Sequence, residues 1–289
     1  MINPWIVEER VALLPTIGKL LAKSFPKPDL AEEKIRFGPD PQQVMLLVWP
    51  TKPELRRRSA VLFLHGGGWY SGNPLLFRFV GHFFAGLGYP TLLGGYRLAP
   101  GSKFPTQMDD VYSGLKAGLY ALEQHDVGID QIIAGGQSAG AQLAALLVYD
   151  RYHAARLSAL QGKSIAGFFS ISGPLSFSDC TYPDLLKMIA DLMGEGVDWK
   201  EADPIRFIQG DETVPALLIH GDRDPLVDLA NTRVFAARLA ESCANPVEVF
   251  LVRGGHHADL VALFVNDLPI TQVLEKWLAR CDDLGAVEA

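Results

Sequence analysis

The sequence predicts an α/β fold, a mostly parallel sheet with helices on both faces. Two observations carry this expectation. Short apolar runs of strand character alternate along the chain with longer stretches whose apolar residues recur at helical spacing. The residues capable of chemistry fall just after strand-like runs, where open α/β sheets place their ligands. The 289 residues are 48% hydrophobic and 20% charged, which is enough apolar material for a continuous core.

The first element is a helical stripe of Ile6, Leu13, Leu14, Ile17, Leu20 and Leu21, within an N-terminal helical extension expected over residues 1–30. Glu8, Glu9 and Arg10 break any clean apolar run there, so neither a signal peptide nor a membrane span is expected and a cytoplasmic location is the default. After "FPKPDL" come two strands, Val44–Trp49 and Ala60–Leu64, separated by an arginine-rich turn. "NPLLFRFVGHFFAGL" has helical periodicity, "YPTLLGGY" is strand-like, and Val111, Leu115, Leu119 and Leu122 share one face of the next helix. Strand Gln131–Gly135 leads into a helix after Ser138; strands Ile165–Ser172, Ala216–His220 and Val247–Val252 follow. Helices near Leu229–Cys243 and Ile270–Arg280 complete the alternation. The chain reads as a single domain over residues 1–289. One connection is too long: about forty residues lie between the strand ending at Ser172 and the one starting at Ala216. Residues 174–211 are therefore expected to form a small cap over the carboxyl edge of the sheet.

Composition excludes several classes of function. A net charge of −7 lacks the basic footprint of a nucleic-acid binder. The three cysteines, Cys180, Cys243 and Cys281, are far apart with no C-x-x-C, so neither a disulfide framework nor a zinc site is expected. No metal and no organic cofactor is implied. The partner expected is a small-molecule substrate, and a homodimer stays open.

Four motifs remain. "GGQSAG" sets Ser138 between Gly136 and Gly140 at a strand-to-helix corner, the pattern of a nucleophile elbow, in which small flanking residues let the serine project from a strained turn. "HGGGW", His65–Trp69, follows a strand and exposes successive backbone amides. Without a following G-K-[ST] or a G-x-G-x-x-G spacing, it suits an oxyanion hole better than a phosphate cradle. "HGDRDPLVD" offers Asp222, Asp224 and Asp228 as acids, and "VRGGHHADL" offers His256 and His257 as bases. Serine, then acid, then histidine is the chain order in which this kind of elbow finds its partners.

Taken together, "HGGGWYSG", "YRLAPGSKFPTQMDD", "GGQSAGAQLAAL", "HGDRDPLV" and "GGHHADLV" resemble the α/β-hydrolases of the hormone-sensitive-lipase and carboxylesterase group, from about residue 35 to 280. "IRFGPDPQQVMLLVW" and "GQSAGA" are closer to the bacterial feruloyl-esterase-like and kynurenine-formamidase-like branch. The resemblance implies an α/β-hydrolase fold with Ser138 as nucleophile, His257 as base and Asp224 as orienting acid. It also implies an oxyanion hole formed by the amides of Gly67, Gly68 and Ala139. Ester hydrolysis through an acyl-enzyme is the expected reaction, with an arylformamidase-type amide hydrolase and a catalytically silent binding module as rivals. Trp69 after the glycine loop, and Phe177, Tyr182, Leu185 and Met188 in the cap, are the expected substrate contacts. Tyr96 and Arg97 in "YRLAP" are expected to hold a loop.

Overall fold

The computed structural model describes residues 18–151, 153–241, 244 and 246–284. Its strands are β1 Leu30–Arg36, β2 Val44–Pro50, β3 Ser59–Leu64, β4 Thr91–Gly94, β5 Gln131–Gln137, β6 Ser164–Ile171, β7 Ala216–Gly221 and β8 Val247–Val252. The helices are α1 Arg78–Gly86, α2 Thr106–Gln124, α3 Ala139–Tyr149, α4 Ala154–Leu160, α5 Pro183–Met193, α6 Leu229–Ala240 and α7 Pro269–Leu284. One eight-stranded sheet runs in the order β1-β2-β4-β3-β5-β6-β7-β8. The pairings of β1 with β2 and of β2 with β4 are antiparallel, and the others are parallel. This is the α/β-hydrolase fold.

The central strands are buried on both faces, which explains why they read as continuous apolar runs. Along β3, Ala60, Leu62 and Leu64 point into one core with Leu115 of α2, Leu143 of α3 and Phe235 of α6. Val61 and Phe63 point into the other with Phe84 of α1 and Trp277 of α7. The two-residue period of the strand thus divides one sequence between two layers.

Three elements differ from the sequence expectation. β1 was not anticipated: it is an edge strand carrying Glu32, Glu33, Lys34 and Arg36, with every residue at least partly exposed, so no apolar alternation marks it. The short helix α4 was not singled out either. In the N-terminal extension, residues 18–23 are helical, Leu20 packs against the core formed with α1 and α7, and Leu21 is exposed. Ile6, Leu13, Leu14 and Ile17 lie outside the described residues. Among the described residues no helix is long and apolar enough to cross a membrane.

Residues 174–211 hold α5 between short 3-10 turns at Phe177–Asp179, Trp199–Ala202 and Pro204–Phe207. Leu185, Ile189 and Leu192 turn one side of α5 into the core. The segment is tied down by Gln142 Nε2, which donates to the Ala202 carbonyl (2.6 Å), and by the Ile205 amide, which donates to the Leu175 carbonyl (3.1 Å).

Candidate active site

Ser138 is the N-cap of α3 and has φ 53° and ψ −124°, a conformation that L-residues rarely adopt and that costs on the order of 1–3 kcal/mol. The corner is tight because the end of β3 passes directly against it. A Cβ added to Gly140 would stand 2.0 Å from the Leu64 carbonyl oxygen, and one on Gly136 would meet Gly140 at 2.5 Å. Small residues on either side of the serine are therefore a packing requirement of this corner. The Ser138 amide is held by the Ile171 carbonyl at the end of β6 (2.8 Å), leaving the side chain to project over the strand ends.

His257 Nε2 lies 2.8 Å from Ser138 Oγ, and its Nδ1 lies 2.8 Å from Asp224 Oδ2. An ionised carboxylate only accepts, so Nδ1 carries the imidazole proton and Nε2 is left to accept from the serine hydroxyl. Asp224 is buried, and its other oxygen accepts from the amides of Leu226 and Val227 at 2.9 Å each. Burial alone would push its carboxyl up. The facing His257, its hydrogen bond, His220 and the Val227 amide outweigh that and hold it down to about 2.

The loops after β7 and β8 meet closely enough to bring acid and base together. A Cβ on Gly221 would collide with the Gly255 carbonyl oxygen at 2.2 Å. The amides of Asp222 and Arg223 donate to the Val252 and Gly255 carbonyls (3.1 and 3.0 Å). The other candidate acids have different partners: Asp222 Oδ1 accepts from the Gly254 amide (2.6 Å), and Asp228 Oδ2 accepts from the Thr181 amide and hydroxyl. Neither His257 nor Ser138 is bonded to them. His256, the other candidate base, donates its amide to Asp259 Oδ1 (3.0 Å).

Ala139 is the first residue of α3, where a helix leaves its amide without an intrahelical acceptor, beside Ser138. Gly67 and Gly68 follow β3 with φ of 126° and 60°. The loop that holds them is braced from beneath. His65 is fully buried, stacks on Tyr96 with centroids 4.5 Å apart, and places Nδ1 2.8 Å from the Gly66 carbonyl, to which it donates. Burial pushes its pKa down to about 4, against the pull of that hydrogen bond, so the ring is a neutral strut. The Tyr96 hydroxyl donates to the His65 carbonyl (2.7 Å), and Arg97 forms a bidentate pair with Asp110 at 2.8 Å.

The expected substrate contacts separate into two groups. The assignment of Trp69 is corrected: it is completely buried, its Nε1 donates to Gln142 Oε1 (3.1 Å), and its ring meets Phe177 edge-on. It supports the glycine loop from inside. Phe177 and Leu185 likewise pack in the core. Tyr182 and Met188 are half-buried, and a Cβ on Gly68 would come within 2.8 Å of Met188 Sδ. Gln142 was missed by the sequence reading. Its signal was available, as the one polar residue in the helix "AGAQLAALLVY", fully buried and bridging Trp69 to Ala202. His220 was missed too; its Nε2 donates to the Val227 carbonyl (3.0 Å) and stands 3.4 Å from Asp224 Oδ2.

Known proteins share this arrangement of chain. The BD-FAE family model matches residues 47–239, more than half of the sequence. Esterase LipC of Mycobacterium tuberculosis is 25% identical over 295 residues, covering 91% of this chain and 70% of its own. Esterase LipQ of the same organism is 24% identical over 84% of this chain, which spans only 61% of LipQ. Among solved structures, inhibited esterase B from Lactobacillus rhamnosis superposes with a TM-score of 0.73 at 21% identity, covering 99% of this chain and 98% of its own, a likeness of fold. The chain belongs to the BD-FAE family, within the α/β-hydrolases of the hormone-sensitive-lipase and carboxylesterase group.

Proposed function

We propose that the protein hydrolyses carboxylic esters of small to medium acyl or aryl groups through an acyl-enzyme. The observation that carries this reading is the unbroken hydrogen-bond chain from Ser138 Oγ through His257 to Asp224. His257 Nε2 takes the serine proton as Oγ attacks the ester carbonyl, and Asp224 steadies the imidazolium that forms. The amides of Gly67, Gly68 and Ala139 receive the oxyanion of the tetrahedral intermediate. As that intermediate collapses, the imidazolium returns its proton to the departing alcohol. Water then repeats the sequence on the acyl-enzyme and frees the acid. Residues 174–211 act as a cap that bounds the substrate site. The names of LipC and LipQ support ester chemistry for this chain as well.

The test is Ser138→Ala. Hydrolysis of p-nitrophenyl acetate and covalent labelling by a fluorophosphonate are both expected to vanish with the fold retained by circular dichroism. Turnover comparable to wild type in the alanine variant would remove the serine mechanism. N-formylkynurenine, assayed beside the esters, separates an ester from a formamide preference.

A further inference from the structure

The glycine loop continues from Trp69 into Tyr70, which is half-buried and points away from the core toward the cap. Its hydroxyl donates to the carboxylate of Asp191 on α5. Asp191 is the centre of a wider clasp. Lys187, one turn earlier, places Nζ 2.5 Å from the same carboxylate oxygen, and Lys103 Nζ donates to the Asp191 carbonyl at 2.5 Å. The Phe104 amide donates to the neighbouring Leu192 carbonyl (3.0 Å). Three residues before Asp191 stands Met188, and residues three apart share one face of a helix. On that face the Met188 thioether reaches the backbone of Gly68, two residues before Tyr70. One helix face therefore touches the glycine loop twice, once by a polar latch and once by an apolar side chain set against Gly68.

We propose that Tyr70 is a positioning residue that latches α5 to the glycine loop through Asp191, fixing Met188 as the wall that limits the length of the acyl group. This rests on the ester reading above. The Tyr70 hydroxyl bonds Asp191 and not the triad, and it acts by setting where Met188 stands. A flexible thioether reaches only as far as its backbone position lets it, so where α5 stands sets the wall, and the latch adds to the Lys103 and Phe104 bonds that hold this end of the helix.

The experiment compares kcat/KM for p-nitrophenyl acetate and hexanoate in wild type, Y70F, D191A, D191N, M188A and the double variant Y70F/M188A. Amide hydrogen exchange over residues 183–193 is followed in the same proteins. Y70F and D191A are expected to raise the hexanoate-to-acetate ratio roughly tenfold, the low end of what one methylene discriminates. Exchange of the α5 amides should quicken roughly tenfold, the scale of one lost hydrogen bond to a charged group. D191N keeps an oxygen to accept from Tyr70 but not the charge, so both readouts should fall between wild type and D191A; a D191N protein indistinguishable from D191A would assign the effect to the charge and overturn the latch. In the double variant the ratio should rise no further than in M188A. Additive effects of Y70F and M188A would overturn the link to Met188, and unchanged ratio and exchange in Y70F would overturn the latch itself. Absence of ester turnover in wild type, with the exchange differences present, would remove the ester reading and the acyl-length role together and leave the latch standing.

Discussion

At the carboxyl ends of β5, β7 and β8, side chains are positioned by backbone meeting backbone, whereas over residues 174–211 they are positioned by one helix resting on a core. At the strand ends, Gly140 lies against Leu64 and Gly221 against Gly255 too closely for a Cβ, and amides of one loop bond carbonyls of the next. A displacement there must move the sheet. In the cap, α5 is held by the apolar side of Leu185, Ile189 and Leu192 and by polar contacts along its edge. Such a segment is fixed by side chains and a few bonds rather than by the sheet itself. On the proposed reading, chemistry sits where backbone meets backbone and selectivity where one helix rests on a core.

The largest effect is expected at the histidine pair. His257→Ala should lower kcat by roughly 10⁴-fold or more, because nucleophile and base act as a unit. His256→Ala removes a ring bonded neither to Ser138 nor to Asp224, and should cost roughly tenfold or less, about one hydrogen bond. Steady-state rates of both on one activated ester decide the matter. The reverse order would move the base to His256 and break the strand-end geometry as described.

Next come the acids. Asp224→Asn should reduce kcat by roughly 10⁴-fold, since an amide reverses the imidazole tautomer that a carboxylate enforces. Asp222→Asn should have little effect, because an Asn oxygen can still accept from the Gly254 amide. A larger loss from the Asp222 variant would assign orientation to the wrong loop.

These strand-end residues were the legible part of the sequence, for a physical reason. Ser138, Asp224 and His257 are each bound to a local pattern that the backbone requires: glycines where chains cross, a strand before, a helix or turn after. Residues 174–211 were legible only as a length. Whether Leu185 or Met188 faces a ligand depends on how α5 is rotated on the core, and whether Phe177 or Tyr182 does depends on the turns before it; both are decided by tertiary packing. Trp69 shows the same limit: adjacency to the glycine loop suggested a contact, while a hydrogen bond to Gln142, seventy-three positions later, turned it inward. β1 was hidden because an edge strand with charges on it has no apolar rhythm.

A pair of tryptophan substitutions sharpens the point within the cap. Met188→Trp should change acyl-length preference roughly tenfold with a small change in melting temperature, as its side chain lies half-exposed against Gly68. Leu185→Trp overfills a buried position and should lower stability by about 1–3 kcal/mol. Chain-length profiles and thermal melts of both variants report the two quantities separately. Equal profiles would mean that α5 does not bound the site.

The smallest effect separates the two regions by sign. Asp224 at the strand ends and Asp203 in the cap are both buried carboxylates. Asp203 accepts from the Phe177 amide (2.9 Å), but burial dominates, outweighing that bond and Arg206, and its pKa is pushed up to about 6 from 3.8. Between these values the folded protein binds more protons at Asp203 than the unfolded chain does, so its contribution is complete below 3.8 and is lost as pH rises through 6. Asp224, held down to about 2, works in reverse: the unfolded chain binds more protons between 2 and 3.8, so its contribution is present above 3.8 and is lost as pH falls through 2. Melting temperatures of wild type, Asp203→Asn and Asp224→Asn from pH 2 to 7 should show this directly. The wild type should lose a few degrees relative to Asp203→Asn as pH rises from 4 to 6, because the amide keeps the Phe177 bond without a charge to bury. Relative to Asp224→Asn it should lose stability only on the acid side of pH 4. Parallel curves for Asp203→Asn and wild type would mean that the cap carboxylate is as well matched by its surroundings as the one bound to His257, and the contrast between the two regions would fail at its electrostatic level.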